Sequence, residues 1–178
     1  QPHADAYARF LERATAVVRE YYPFCRILPY GIAHFRGKTP TGALVNPGKL
    51  LPLLGDALNL IDGLNVHIYP SNTDDIATFI PARLLKFVED TGTQLPVYVS
   101  EWGFLNSAYP TGQARYQAFV DLYSALSVPG VRVDAALHYG LDDFTGGKKW
   151  LVDPTTYDLL PEARFFRQFR RMPISEAA

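Results

Sequence analysis

Sulfur is scarce in this chain. Cys25 is the single cysteine among 178 residues, so there is no internal disulfide and no cluster of thiolates to hold a metal. Long apolar runs are missing too. None approaches the ~20 residues that span a bilayer, and no membrane partner is expected. Charge of one sign is nowhere concentrated: 17 basic and 18 acidic residues are mixed along the sequence, for a formal net charge of -1. Without a basic stripe to suit phosphate backbones, nucleic acid is not expected as a partner. No glycine-rich phosphate loop follows the first expected strand, which argues against dinucleotide binding. No Gly-x-Ser-x-Gly elbow is present, which argues against a serine hydrolase. His3 and His34 share no metal-ligand spacing with any acid, and neither a metal nor a cofactor is expected. The chain begins with Gln1 rather than Met and has no visible signal peptide. That start suggests a processed or truncated product, secreted or periplasmic if the full-length protein carries a signal.

What is present is an ordinary globular balance. Hydrophobic residues make up 48% and charged residues 20%, which suits one domain with a proper core. Aromatics are high at 13%, with 11 Tyr, 11 Phe and 2 Trp. They suit either a rich core or a cleft in which rings stack on sugar faces.

Periodicity orders the elements. Tyr7, Phe10, Leu11, Ala14, Val17, Val18 and Tyr21 recur at three- and four-residue steps and predict an amphipathic helix ending near Pro23. Residues 25–32 (CRILPYGI) predict a strand, weakened by Pro29. Residues 46–62 predict a leucine-rich helical stretch interrupted by Pro52 and Gly55. Residues 64–69 (LNVHIY) predict a strand closed by Pro70. Thr73 and Asp74 cap the next helix, whose buried face is Ile76, Phe79, Ile80, Leu84, Phe87 and Val88. Pro81 kinks it or begins its second part, and Gly92 ends it. A strand over 97–100 follows, then a helix capped by Thr111 with Tyr116, Phe119, Val120, Tyr123 and Leu126 on one side. Pro129-Gly130 stops that helix, and residues 131–139 (VRVDAALHY) predict the next strand. A loop with Gly146-Gly147 leads to a last helix over 161–169. The order is a helix followed by four strand–helix units. Such alternation predicts an α/β fold of parallel strands joined by right-handed crossovers, in one domain over residues 1–178.

The strongest chemical signal lies in residues 96–104 (PVYVSEWGF). Val97, Tyr98 and Val99 favour a buried strand that ends abruptly in Glu101, Trp102 and Gly103. A carboxylate is costly to bury at such a strand end. At the C-terminal tip of a barrel strand it reads as catalytic. The plainer alternative is a rim glutamate paired to an arginine or capping the next helix. His67 and Tyr69 share strand parity, and both point inward if Val66 and Ile68 face the helices. Their plainer alternative is a polar pair near a barrel rim.

Three segments now line up in order: residues 65–70 (NVHIYP), residues 100–103 (SEWG), and residues 135–139 (AALHY) with Asp142 and Asp143. A weaker fourth is residues 151–154 (LVDP) before the last helix. Together they resemble the C-terminal half of a clan A (β/α)8 retaining glycoside hydrolase, the group that includes cellulase-like and β-xylosidase-like families. The resemblance implies the C-terminal half of a TIM barrel, four parallel strand–helix units preceded by a helix. It matches Glu101 to the nucleophile, and His67 and Tyr69 to the pair that touches the nucleophile and the sugar. His138 or Tyr139 takes the strand-eight position at the cleft floor, where many relatives have Trp. Relatives carry the acid/base in an Asn-Glu pair at the end of strand four, and no Asn-Glu dipeptide occurs here. A complete barrel typically needs ~250 residues, so the chain looks like half of one, truncated at its N-terminus.

Retaining hydrolysis uses two carboxyl groups about 5 Å apart, one attacking the anomeric carbon and one protonating the leaving oxygen. The resemblance therefore implies a hydrolase acting on the O-glycosidic bonds of an oligo- or polysaccharide. Glu101 attacks, His67 and Tyr69 support it, and Trp102, His138, Tyr139 and Asp142 are candidates for binding substrate. Trp102 either stacks on a sugar or packs behind the nucleophile. Asp142 and Asp143 bind substrate hydroxyls, supply an acid, or solvate a loop. Trp150 is a rim platform or a hydrophobic plug, and His34 is a weak cleft-lining candidate. One rival is a non-catalytic carbohydrate-binding half-barrel that lacks the acid/base. Another is an unrelated α/β enzyme with Glu101 as general base. Four parallel strands leave two open edges and an exposed apolar face. A homodimer, or a missing N-terminal half-barrel, is therefore expected to complete the fold.

Overall fold

The computed structural model describes residues 2–33, 47–70, 76–103 and 111–138, together with Leu160 and Ala163. Helix α1 (Pro2–Tyr21) leads to a short strand β1 (Ile32–Ala33). Two 3-10 helices, Pro47–Lys49 and Leu51–Leu60, precede strand β2 (Leu64–Ile68). Helix α2 (Ile76–Thr91), strand β3 (Val97–Trp102), helix α3 (Gly112–Ser124) and strand β4 (Val133–His138) follow. The strands form one parallel sheet in chain order, β1-β2-β3-β4. Among the described residues, β1 and β4 each pair along one edge only.

The core lies between one face of the sheet and the helices. Leu64, Val66 and Ile68 of β2 and Val97 and Val99 of β3 are buried in it with Ile80, Leu84 and Phe87 of α2 and Phe119 and Leu122 of α3. Ile80, Leu84 and Phe87 recur at helical spacing, so α2 turns one apolar stripe to the sheet. The helix continues through Pro81, in its second turn, and ends at Gly92, whose φ of 66 suits a residue without Cβ. Thr111 caps α3, its side chain accepting the Ala114 N–H at 3.1 Å.

Three expectations change. The strand expected over 25–32 shrinks to Ile32–Ala33. Pro29 has no N–H for a ladder, and Ile27 is engaged elsewhere: its N–H donates to Asp62 Oδ2 at 2.6 Å, and its carbonyl accepts the Asp62 N–H at 2.7 Å. The leucine-rich stretch takes 3-10 geometry with a kink at Gly55, where φ is 56 and ψ -131. Only part of the α1 stripe is covered: Leu11 is buried, but Phe10, Val17 and Tyr21 remain 62%, 56% and 68% exposed. The last helix, expected over 161–169, lies outside the described residues apart from Ala163, which is buried with the core. The fourth strand–helix unit is therefore described only in its strand.

Asp62 fastens α1 to the sheet. Besides the Ile27 N–H, its two carboxylate oxygens both accept from Arg19 Nη2, at 3.1 and 3.0 Å. The Ile27 N–H, with Arg19 adding, holds the Asp62 carboxyl below its ordinary range. A depressed carboxyl stabilises the fold fully above its unfolded pKa of about 3.9, and that contribution is lost as pH falls through the folded value. Asp62→Asn should therefore lower stability at pH 7 by about 1 kcal/mol, or about 2–4 °C in Tm. Thermal melts should find the gap to wild type closing below about pH 4. A gap constant down to about pH 2 would contradict this role.

Candidate active site

Strand β2 alternates strictly. Leu64, Val66 and Ile68 are buried on the helix side, while Asn65, His67 and the following Tyr69 are half-buried on the opposite, inner face. On β3, Val97 and Val99 are buried, and Tyr98 and Ser100 lie on the inner face. Strict alternation would send Glu101 toward the helices and Trp102 inward. The ladder prevents this. Val66 pairs with Val99 but His67 pairs with Glu101, so Ser100 is an extra residue in β3. The ladder to β4 also steps over an extra residue between Val99 and Trp102, which pair with Ala136 and His138. Two residues of β3 then oppose one on each neighbour, and the parity of everything beyond reverses. Glu101 joins the inner face, and Trp102 turns to the core.

On the inner face three side chains meet. The Tyr69 hydroxyl donates to Glu101 Oε2 at 2.6 Å, within the range of O–H···O⁻ bonds. His67 Nδ1 stands 3.4 Å from the same oxygen. The Glu101 side chain is 33% exposed, so its carboxylate is held and still open to a ligand. The Nε2 end of the imidazole packs directly against Gly31: a Cβ there would sit 2.1 Å from His67 Nε2 and 2.6 Å from Cε1. Only glycine allows that approach. A second layer lies nearer the N-terminal ends of the strands. Ser100 donates to Asn65 Oδ1 at 2.5 Å, and Asn65 Nδ2 donates to the Pro29 carbonyl at 3.0 Å. Below it, the Tyr98 hydroxyl donates to Asp134 Oδ2 at 3.1 Å, and Arg132 holds the same carboxylate. Burial, and then Asp134, raise the Tyr98 phenol above its ordinary range.

Two expected substrate contacts are corrected. Trp102 is 1% exposed and offers no face for stacking; its ring meets Phe119 edge-on at 5.2 Å and His138 at 5.5 Å. His138 lies on the same side, its ring 5.0 Å from that of Phe119, away from the Glu101 face. The cause is the Ser100 bulge for Trp102, and for His138 its pairing opposite Trp102. Tyr139, Asp142, Asp143, Trp150 and His34 lie outside the described residues. Three residues that sequence reasoning passed over support the cluster. Asn65 carried a signal, since it shares parity with His67 and Tyr69. Ser100 and Gly31 carried none, because neither a bulge nor a long-range close approach has a local pattern.

A parallel sheet with helices on one face and a carboxylate at the C-terminal rim of the other is consistent with one side of a (β/α)8 barrel. Solved structures of glycoside hydrolases share this fold. One is a GH128 (subgroup II) endo-β-1,3-glucanase from Sorangium cellulosum, with a TM-score of 0.65 at 15% identity over 90% of this chain and 60% of that one. Another is the endo-β-1,4-mannanase of Thermotoga petrophila, with a TM-score of 0.51 at 15% identity over 98% of this chain and 41% of that one. A third is the hyperthermostable endo-1,4-β-D-mannanase of Thermotoga petrophila RKU-1, also 0.51 at 15%, over 94% of this chain and 52% of that one. This chain thus spans about half the length of the barrels it resembles. No protein-family model and no curated protein matches the sequence.

The Gly31–His67 contact makes a measurable claim. Gly31→Ala should cost about 1–3 kcal/mol by overpacking. In a His67→Ala background the same change should cost under about 0.5 kcal/mol. Chemical denaturation of the four proteins gives both numbers, and equal costs in the two backgrounds would contradict the contact.

Proposed function

We propose that this chain is part of a retaining β-glycoside hydrolase with Glu101 as nucleophile. The observation that carries the reading is the Glu101 carboxylate on the open inner face, held by the Tyr69 hydroxyl at 2.6 Å with His67 at 3.4 Å. A carboxylate fixed in place and still exposed suits attack on an anomeric carbon. The Glu101 oxygen forms a bond to that carbon while the glycosidic C–O bond breaks, its electron pair leaving with the aglycone oxygen. An acid/base then protonates that oxygen. The sequence holds no Asn-Glu pair to supply it, so in this reading the proton comes from outside the half-barrel. The substrate is a β-linked poly- or oligosaccharide, a class supported by the names of the glucanase and mannanase neighbours. The missing pair also favours a second reading, a non-catalytic half-barrel that binds carbohydrate and cleaves nothing.

We further propose that residues 1–178 form one half-barrel domain completed by a second copy or by an N-terminal half. The pairing of β1 and β4 along one edge only among the described residues, and the exposed Phe10, Val17 and Tyr21 on α1, support this.

Activated 2,4-dinitrophenyl 2-deoxy-2-fluoro-β-D-glycosides of glucose, mannose and xylose test the nucleophile. Dinitrophenolate departs without a proton donor, so the acid is not needed. Intact mass should rise by one fluoroglycosyl unit, mapped to Glu101, and Glu101→Gln should take none. A folded sample that takes no label from any of the three shifts the account to the non-catalytic reading. Light scattering after size exclusion should give twice the chain mass for this sequence alone; a compact monomer at high dilution contradicts completion by a second copy.

A further inference from the structure

The inner face holds a line of hydrogen bonds that the proposed chemistry does not use. Ser100 donates to Asn65 Oδ1 at 2.5 Å, and Asn65 Nδ2 donates to the Pro29 carbonyl at 3.0 Å. Three chain segments are thereby tied across the sheet, one layer beneath the carboxylate. The ends of the line are informative. Ser100 is the extra residue of β3 and directly precedes Glu101. Pro29 is two residues before Gly31, against which the His67 ring rests. The line therefore grips both backbones that carry the site from below.

The cost of burying a carboxylate among Val99, Trp102 and Phe119 suffices to keep Glu101 on the inner face. It does not say where along that face the carboxylate sits. A bulged residue is free of the regular ladder, and its backbone needs another anchor to hold one position. Ser100 has that anchor in a short side chain with one hydroxyl, and Asn65 meets it with the amide oxygen while its NH2 is used on Pro29.

We propose that Asn65 and Ser100 are positioning residues: their hydrogen bond fixes the bulge and sets Glu101 within reach of Tyr69 and His67. The inference rests on Glu101 as the nucleophile. Misplacing a reacting atom by about 1 Å can cost on the order of a hundredfold in rate while leaving binding intact.

The test uses the 2,4-dinitrophenyl 2-deoxy-2-fluoro-β-D-glucoside and -mannoside, with crystal structures of the variants beside it. Ser100→Ala and Asn65→Ala should each slow labelling roughly ten- to a hundredfold, with the apparent dissociation constant changed less than about twofold. The double variant should be no slower than either single one, because both remove one bond. Ser100→Thr keeps the hydroxyl and should restore most of the rate. In the Ser100→Ala crystal, Glu101 Oε2 should move out of hydrogen-bond range of the Tyr69 hydroxyl. Labelling at the wild-type rate with that contact intact overturns the proposal. So does a loss that Ser100→Thr fails to restore, which marks a general structural defect. If wild type itself takes no label, the nucleophile reading fails, and the crystals alone decide: a displaced Glu101 supports the tie, and an unmoved one overturns it.

Discussion

Side-chain parity along β3 is the constraint on which the site depends. A strand sends alternate residues to opposite faces, and a one-residue slip exchanges the faces of everything beyond it. Residues 97–102 (VYVSEW) set two demands against that rule. Val97, Val99 and Trp102 need the core, and Glu101 needs water or a polar partner. Positions 97, 99 and 102 do not share a parity. One extra residue between Val99 and Trp102 reconciles them, and both neighbouring ladders accommodate it there. The bulge thus lets the strand bury its tryptophan and present its glutamate within two consecutive residues.

Around that point the inner face is built in layers. Gly63 makes room for the Tyr98 ring, whose hydroxyl reaches Asp134. Asn65 and Ser100 follow, and Gly31, His67 and Glu101 come next, with Tyr69 closing over the carboxylate. Polar side chains meet between β2 and β3 and between β3 and β4, while the opposite face of β2 and β3 is aliphatic and aromatic. The division explains how a short parallel sheet carries a wet face and a dry face at once. The Glu101 cluster lies toward the C-terminal ends of the strands, and the Tyr98 cluster lies toward the other end.

Much of this was legible in the residues. The alternation of LNVHIY placed His67 and Tyr69 on one face, because β2 is regular and its apolar positions are all β-branched or leucine. The helices α2 and α3 were marked by apolar spacing, by the Thr111 cap and by Gly92. What was hidden is nonlocal. A bulge is decided by pairing with neighbours, so Trp102 read as a candidate platform when it is core. The weak strand around Pro29 was lost to Asp62, 35 residues away from Ile27. Gly31 gave no hint that an imidazole rests on it, since the contact joins segments far apart in sequence.

The face assignment can be read directly from Trp102. The chain has 2 tryptophans, so replacing Trp150 with Phe leaves Trp102 as the only indole. Acrylamide quenching of its fluorescence measures whether the ring is buried. The account predicts blue-shifted emission, little quenching, and no change on adding β-glucan or β-mannan oligosaccharides. Red-shifted emission that acrylamide quenches freely and that responds to sugar would place Trp102 in the cleft and Glu101 on the helix side, and would contradict the account at its root.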